Sequence, residues 1–130
     1  MKPPVEEVRV SAQGKEILIK LKRRTGLMQW NHLCRIAYCR SLANPTPPCP
    51  PNSGEGGLRM DWRIFAGPYY EEFACLNALR AKQDGVDLTQ KESLAEYFRA
   101  HLERGIRALN DLQDVRDLAI SENAEVGAIS

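Results

Sequence analysis

Leu94, Phe98, Leu102, Gly105, Ile106 and Leu109 recur at the three-and-four spacing of one helical face, the most regular such pattern in the chain. An apolar stripe of this kind is stable only when other elements cover it. The segment therefore predicts a long helix that acts as the central support of a helical core. Thr89-Gln90-Lys91-Glu92 just before it has the T-x-x-E form of a capping box and predicts where that helix opens. The fold class that follows is mainly α, a single domain with a short N-terminal strand and four to five helices.

The other elements fit around that helix. Val8 and Val10 alternate with Glu7, Arg9 and Ser11, the period of a short strand with one buried face. So short a strand has to pair with something. Ser11 suits the N-cap of a helix from Ala12 to Arg24, and Gly26 suits its left-handed end. Ile17, Leu18 and Leu21 share one face of this helix. Lys15 and Lys22 border one side of the stripe, Lys20 and Arg24 the other, and Arg23 points nearly opposite. A second helix is expected from near Gln29–Asn31 to Leu42 or Ala43, with Trp30, Leu33, Cys34, Ile36 and Ala37 inward and Arg35 and Arg40 off centre.

Residues 43–58 form a Pro/Gly-rich loop. Five prolines between Asn44 and Gly57 remove backbone donors and the glycines cost entropy, so neither helix nor central strand fits. Arg59 to Phe65 reads as a short extended piece anchored by Trp62. Gly67-Pro68 opens a helix in which Tyr69, Phe73, Leu76 and Leu79 recur at helical spacing, and Asp84-Gly85 ends it. The helical domain is expected over residues 1–112, and residues 113–130 read as an acidic tail.

Composition excludes several function classes. Within the 130 residues there is no run of about 18 apolar positions and no leader-like N-terminus, so a cytoplasmic protein with no membrane contact is expected. The four cysteines, Cys34, Cys39, Cys49 and Cys75, form no C-x-x-C pair and read as buried free thiols rather than metal ligands. The chain has two histidines. His32, at a basic helix start, reads as solvated, and His101 as a hydrogen-bonded core residue. No phosphate-cradling glycine loop and no histidine-pair metal motif is present. No catalytic constellation is found, and neither a cofactor nor an enzymatic activity is expected.

The charge is unevenly distributed. Residues 1–42 carry nine Lys/Arg against three Asp/Glu, whereas residues 110–130 carry one against five. One cation at the end of a helix offsets the carbonyl end of its dipole. Lys22, Arg23 and Arg24 together with Lys15, Lys20, Arg35 and Arg40 exceed that need and point to a polyanionic partner, DNA or RNA held by its phosphates. The order strand, helix, Thr-Gly turn, helix from Val8 to Leu42 also resembles a ribbon-helix-helix unit, in which strands from two chains pair. On that alternative the chain is a sequence-specific repressor or antitoxin, with Glu7, Arg9 and Ser11 facing a groove.

A closer family match lies in Leu21-Lys22-Arg23-Arg24-Thr25-Gly26-Leu27, Asn31, Leu33-Cys34-Arg35-Ile36-Ala37 and Ser41-Leu42, followed by Phe98-Arg99-Ala100-His101 and Arg104-Gly105. These residues resemble the small E subunit of the bacterial DNA phosphorothioation system, DndE, over about residues 8 to 110. The resemblance implies an accessory DNA-binding subunit of the machinery that replaces a phosphate oxygen of DNA with sulfur. It further implies a homo-oligomer, expected to be a tetramer, that prefers nicked duplex and works beside the sulfur-transfer and ATPase subunits DndC and DndD. Carried over, the basic motif falls on Lys20, Lys22, Arg23, Arg24 and Arg35. The chain departs from the family pattern at Leu27-Met28-Gln29-Trp30-Asn31, which is one residue longer and lacks a proline.

Overall fold

Ser11 is where the strand turns into the first helix, and three hydrogen bonds explain why the change happens there. Its hydroxyl oxygen accepts from the Gly14 N–H at 3.0 Å, which caps the helix as the sequence predicts. Its own N–H and hydroxyl donate to the Glu103 carboxylate at 2.8 and 2.9 Å. A computed structural model describes residues 2–26, 29–50 and 57–111 of the chain. Its elements are β1 (Glu7–Val10), α1 (Ala12–Thr25), α2 (Trp30–Ala43), β2 (Leu58–Asp61), α3 (Trp62–Ala66), a single 3-10 turn at Gly67–Tyr69, α4 (Tyr70–Gln83) and α5 (Lys91–Leu109).

The fold is mainly helical, with a two-stranded antiparallel sheet at its N-terminal end. α5 is the support that its periodicity predicts. Phe98, Leu102, Ile106 and Leu109 are fully buried along it, and α2 packs against it more extensively than any other pair of elements. Gly105 makes that approach possible. A Cβ there would sit 1.7 Å from the Ala37 carbonyl oxygen of α2, so only glycine lets the two backbones come this close. Tyr38 of α2 lies at the centre of an aromatic cluster, its ring 5.1 Å from Phe98 and 5.9 Å from both Phe65 and Phe73. Its hydroxyl donates to the buried Asn77 Oδ1 at 2.9 Å.

Gly26 closes α1 with φ of 74° and returns its N–H to the Lys22 carbonyl at 3.1 Å, the left-handed cap expected of it. The second helix also falls where its pattern places it.

Four expectations are corrected. The partner of β1 is β2 of the same chain, in the register Glu7↔Asp61, Val8↔Met60, Arg9↔Arg59 and Val10↔Leu58. The strand-helix-turn-helix order of a ribbon-helix-helix unit is present, but this ladder forms within one chain rather than across two. The extended piece predicted over Arg59–Phe65 stops at Asp61, and Trp62 begins α3, where its indole N–H donates to the Tyr70 carbonyl at 3.1 Å.

The T-x-x-E capping box does not form. Thr89 instead donates its N–H and hydroxyl to Asp87 Oδ1 at 2.9 and 2.7 Å. That local turn satisfies Thr89, and α5 opens two residues later, at Lys91. α4 buries Phe73, Ala74, Asn77, Ala78 and Ala81, whereas Tyr69, Leu76 and Leu79 face outward. The small alanine face lets α4 lie close to its neighbours, and helical periodicity alone cannot distinguish it from the bulkier face. The central part of the Pro/Gly loop, the Leu27-Met28 departure and residues 113–130 lie outside the described residues.

Candidate nucleic-acid interface

The inward stripe of α1, Ile17, Leu18 and Leu21, is buried, and this orients the cations between those positions. Lys20, Arg23 and Arg24 are exposed, and Lys15 and Lys22 are half-buried along the border. Lys22 Nζ stands 4.0 Å above the Trp30 ring. That cation–π contact ties the end of α1 to the start of α2 and leaves the ammonium positively charged. Arg24 Nη1 donates to the Asn110 carbonyl at 3.2 Å, beside the end of α5. Ion pairs join Arg9 and Arg59 to Glu7, and Arg80 to Asp84. Among the described residues Lys15, Lys20, Lys22 and Arg23 make none. Glu16, one turn before Lys20, does not pair with it either. Five cations from the predicted set thus lie on α1, with Lys20, Arg23 and Arg24 exposed and Lys15 and Lys22 half-buried along the border of its apolar stripe.

Arg35 is not among them. Its Nε donates to the Phe65 carbonyl and its Nη2 to the Ile64 carbonyl at 3.4 Å. Asn31 Nδ2 reaches the same Ile64 oxygen at 3.2 Å. The guanidinium therefore braces α2 against the end of α3. Gly67 leaves room for it, since a Cβ at Gly67 would lie 2.7 Å from Arg35 Nη2.

A second polar centre brings together Ser41, His101 and Arg104, which the family resemblance includes, with Arg80, which it does not. Arg104 donates to the Ser41 carbonyl through Nη2 at 2.8 Å, and through Nη1 to Thr46. Arg80 donates to the Leu42 carbonyl at 2.9 Å and the Asn44 carbonyl at 2.7 Å, and also pairs with Asp84. Two arginines 24 positions apart thus satisfy the last carbonyls of α2 and hold the start of the proline-rich segment. No spacing rule links them, because they come from α4 and α5 and meet only over the end of α2.

Ser41 and His101 lie beneath that clamp, with Oγ and Nδ1 2.8 Å apart. Arg104 Nε donates to the same Ser41 oxygen at 2.8 Å, so the hydroxyl proton turns toward Nδ1 and the imidazole carries its proton on Nε2. Burial first, and then the charges of Arg104 and Arg80, push the His101 pKa down to about 4. His101 is fully buried and Ser41 nearly so. A neutral, enclosed pair of this kind holds structure together and lacks the access that nucleophilic catalysis requires. His32, by contrast, is exposed. Both histidines are thus placed as the sequence suggests.

The cysteines are only partly as expected. None of the four is in a disulfide, but Cys34 alone is buried, and Cys39, Cys49 and Cys75 are exposed. Burial, with a smaller contribution from Glu103, raises the Cys34 thiol to about 12. No group of three or more potential metal ligands occurs among the described residues. None of their helices is long and apolar enough to cross a membrane.

The sequence model of the DNA sulphur modification protein DndE matches residues 7–117 of this chain. The chain belongs to the DndE family. The match runs from β1 through α5, so it includes the basic face of α1 and the arginine clamp. Among solved structures, the crystal structure of DndE from Escherichia coli B7A, involved in DNA phosphorothioation modification, superposes with a TM-score of 0.64 at 26% identity. That match covers 81% of this DndE-family chain and 97% of the other. A DndE variant carrying two glycine-to-lysine substitutions matches in fold with a TM-score of 0.63 at 23% identity, covering 83% of this chain and 99% of that one. No curated protein matches this DndE-family sequence.

Proposed function

We propose that this DndE-family protein is the accessory DNA-binding subunit of the phosphorothioation machinery. It holds the duplex by its sugar–phosphate backbone through Lys15, Lys20, Lys22, Arg23 and Arg24. The observation that carries this reading is the set of α1 cations, exposed at Lys20 and Arg23 and half-buried at Lys15 and Lys22, that have no carboxylate partner among the described residues. Backbone contacts position a protein without reading sequence, which suits a modification whose target is the phosphate itself. Arg35, expected in this set from the sequence, also braces α2 against α3 through the Ile64 and Phe65 carbonyls.

The protein works in the cytoplasm as a homo-oligomer, a tetramer by family expectation, beside DndC and DndD, and has no catalytic role of its own. The exposed side chains of Tyr69, just before α4, and of Leu76 and Leu79 on it support such self-association. Repeating one modest basic row around an oligomer raises avidity. A preference for nicked duplex fits backbone recognition, because a nick lets the strands follow the protein surface.

Gel-shift titrations of intact and nicked duplex at several salt concentrations test the reading. Replacing Lys20, Lys22, Arg23 and Arg24 by Gln is expected to weaken binding on every sequence. It should also flatten the slope of log K against log salt by roughly 0.9 for each phosphate that is no longer neutralised. An unchanged titration would overturn it.

A further inference from the structure

α4 carries two stripes, and the core uses one of them. Phe73, Ala74, Asn77, Ala78 and Ala81 are buried. The opposite side of the helix presents Glu72, Leu76, Leu79 and Gln83, again at helical spacing. Its centre is two leucines that are 46% and 56% exposed. At about 100° per residue, Glu71, Cys75 and Lys82 run along one flank of this outer stripe, and all three are exposed.

The two ends of α4 are oppositely charged, with Glu71 and Glu72 in its first turn and Arg80 and Lys82 in its last. Arg80 is committed to Asp84 and to the Leu42 carbonyl at the end of α2. Glu71, Glu72 and Lys82 make no ion pair among the described residues. The outer stripe is therefore an apolar centre with an anionic flank position at one end and a cationic one at the other.

We propose that this face of α4 pairs with the same face of a second copy of the chain, the two helices running antiparallel about a two-fold axis. A contact between identical surfaces has to complement itself, and this one does. With Leu76 set opposite Leu79 of the second copy, position 71 comes level with position 84. Glu71 then lies about 3 Å along the axis from Lys82 of the second copy. Antiparallel packing also brings the flank that holds Glu71 and Lys82 against the same flank of the other helix. Two equivalent Glu71–Lys82 ion pairs thus close the ends of a centre made of leucines from both copies. A parallel pair would set Glu71 beside Glu71 and Lys82 beside Lys82, so like-charge repulsion selects the antiparallel direction.

The pairing rests on the homo-oligomer reading and gives it a surface, and it needs no DNA to be tested. Sedimentation equilibrium of the full chain measures association for the parent and for three variants at exposed positions: Leu79→Glu, Glu71→Lys and Lys82→Glu. Leu79→Glu places a carboxylate against leucines and is expected to weaken association at least about tenfold. Each charge reversal turns both ion pairs into repulsions and is expected to weaken it about tenfold.

An equal mixture of the Glu71→Lys and Lys82→Glu chains should regain the association of the parent to within about twofold, because each variant then meets an opposite charge at both ends. Recovery on mixing cannot come from chains that fail to fold. If both reversals weaken association and the mixture does not recover, the antiparallel pairing is overturned. An assembly that all three variants leave intact overturns the pairing but not the homo-oligomer reading, whereas a parent that stays monomeric overturns both.

Discussion

Glu103, in the middle of α5, holds both polar hydrogens of Ser11, 92 positions earlier in the chain, at 2.8 and 2.9 Å. One buried carboxylate thereby joins the point where β1 becomes α1 to the central helix. It also presents negative charge to the N-terminus of α1, where the dipole favours it. Glu103→Gln keeps the shape but turns a donor toward a donor. The expected loss is about 2 kcal/mol of stability, read as a lower urea midpoint with an unchanged slope.

Gly105→Ala tests the contact between α2 and α5. In an exposed helix this change would stabilise by up to about 1 kcal/mol through helix propensity. Here the new methyl group meets the Ala37 carbonyl oxygen at 1.7 Å, and the helices must separate. Stability is expected to fall by about 3 kcal/mol or more, measured by thermal unfolding.

Arg35 and Arg23 belong to the same sequence motif but are expected to behave in opposite ways. Arg35→Gln removes donors to the Ile64 and Phe65 carbonyls and should lower stability by about 1–2 kcal/mol. Arg23→Gln, on an exposed position, should change stability by less than about 0.5 kcal/mol while weakening DNA binding. Paired denaturation and gel-shift measurements on the two variants check this.

His101 should make stability depend on acidity. Its pKa in the fold is about 4, below the ordinary value of 6.5, so the unfolded chain takes up the proton first as pH falls. The buried neutral imidazole therefore contributes fully above about pH 6.5, and that contribution is lost as pH drops toward 4. A loss of about 2 kcal/mol across this window is expected. Urea midpoints at several pH values measure it, and His101→Asn should flatten the curve.

Thiol reactivity gives a direct reading of burial. Cys39, Cys49 and Cys75 are exposed, and Cys34 is enclosed with its thiol raised to about 12. In the folded protein a disulfide reagent is expected to modify three thiols quickly. Cys34 should react only on the timescale of unfolding.

Local chemistry made much of this protein readable from the chain alone. Ser11 as a cap, Gly26 as a left-handed stop, the α5 stripe and the outward cations of α1 each depend on residues within a few positions of one another. Backbone hydrogen bonding and helical periodicity act at that range. Tertiary structure decided the rest, because the deciding partners are distant in sequence. β2 rather than a second chain completes the strand, since Arg59 and Arg9 meet only once the helices between them have packed. Asp87 draws Thr89 away from the capping box. The small-residue face of α4 turns inward because close packing favours alanines over Leu76 and Leu79. Arg35, indistinguishable by charge from Arg23, becomes a brace because the Ile64 and Phe65 carbonyls, some 30 positions away, are brought to its guanidinium. A charge in the chain has no assigned partner until folding places an acceptor beside it.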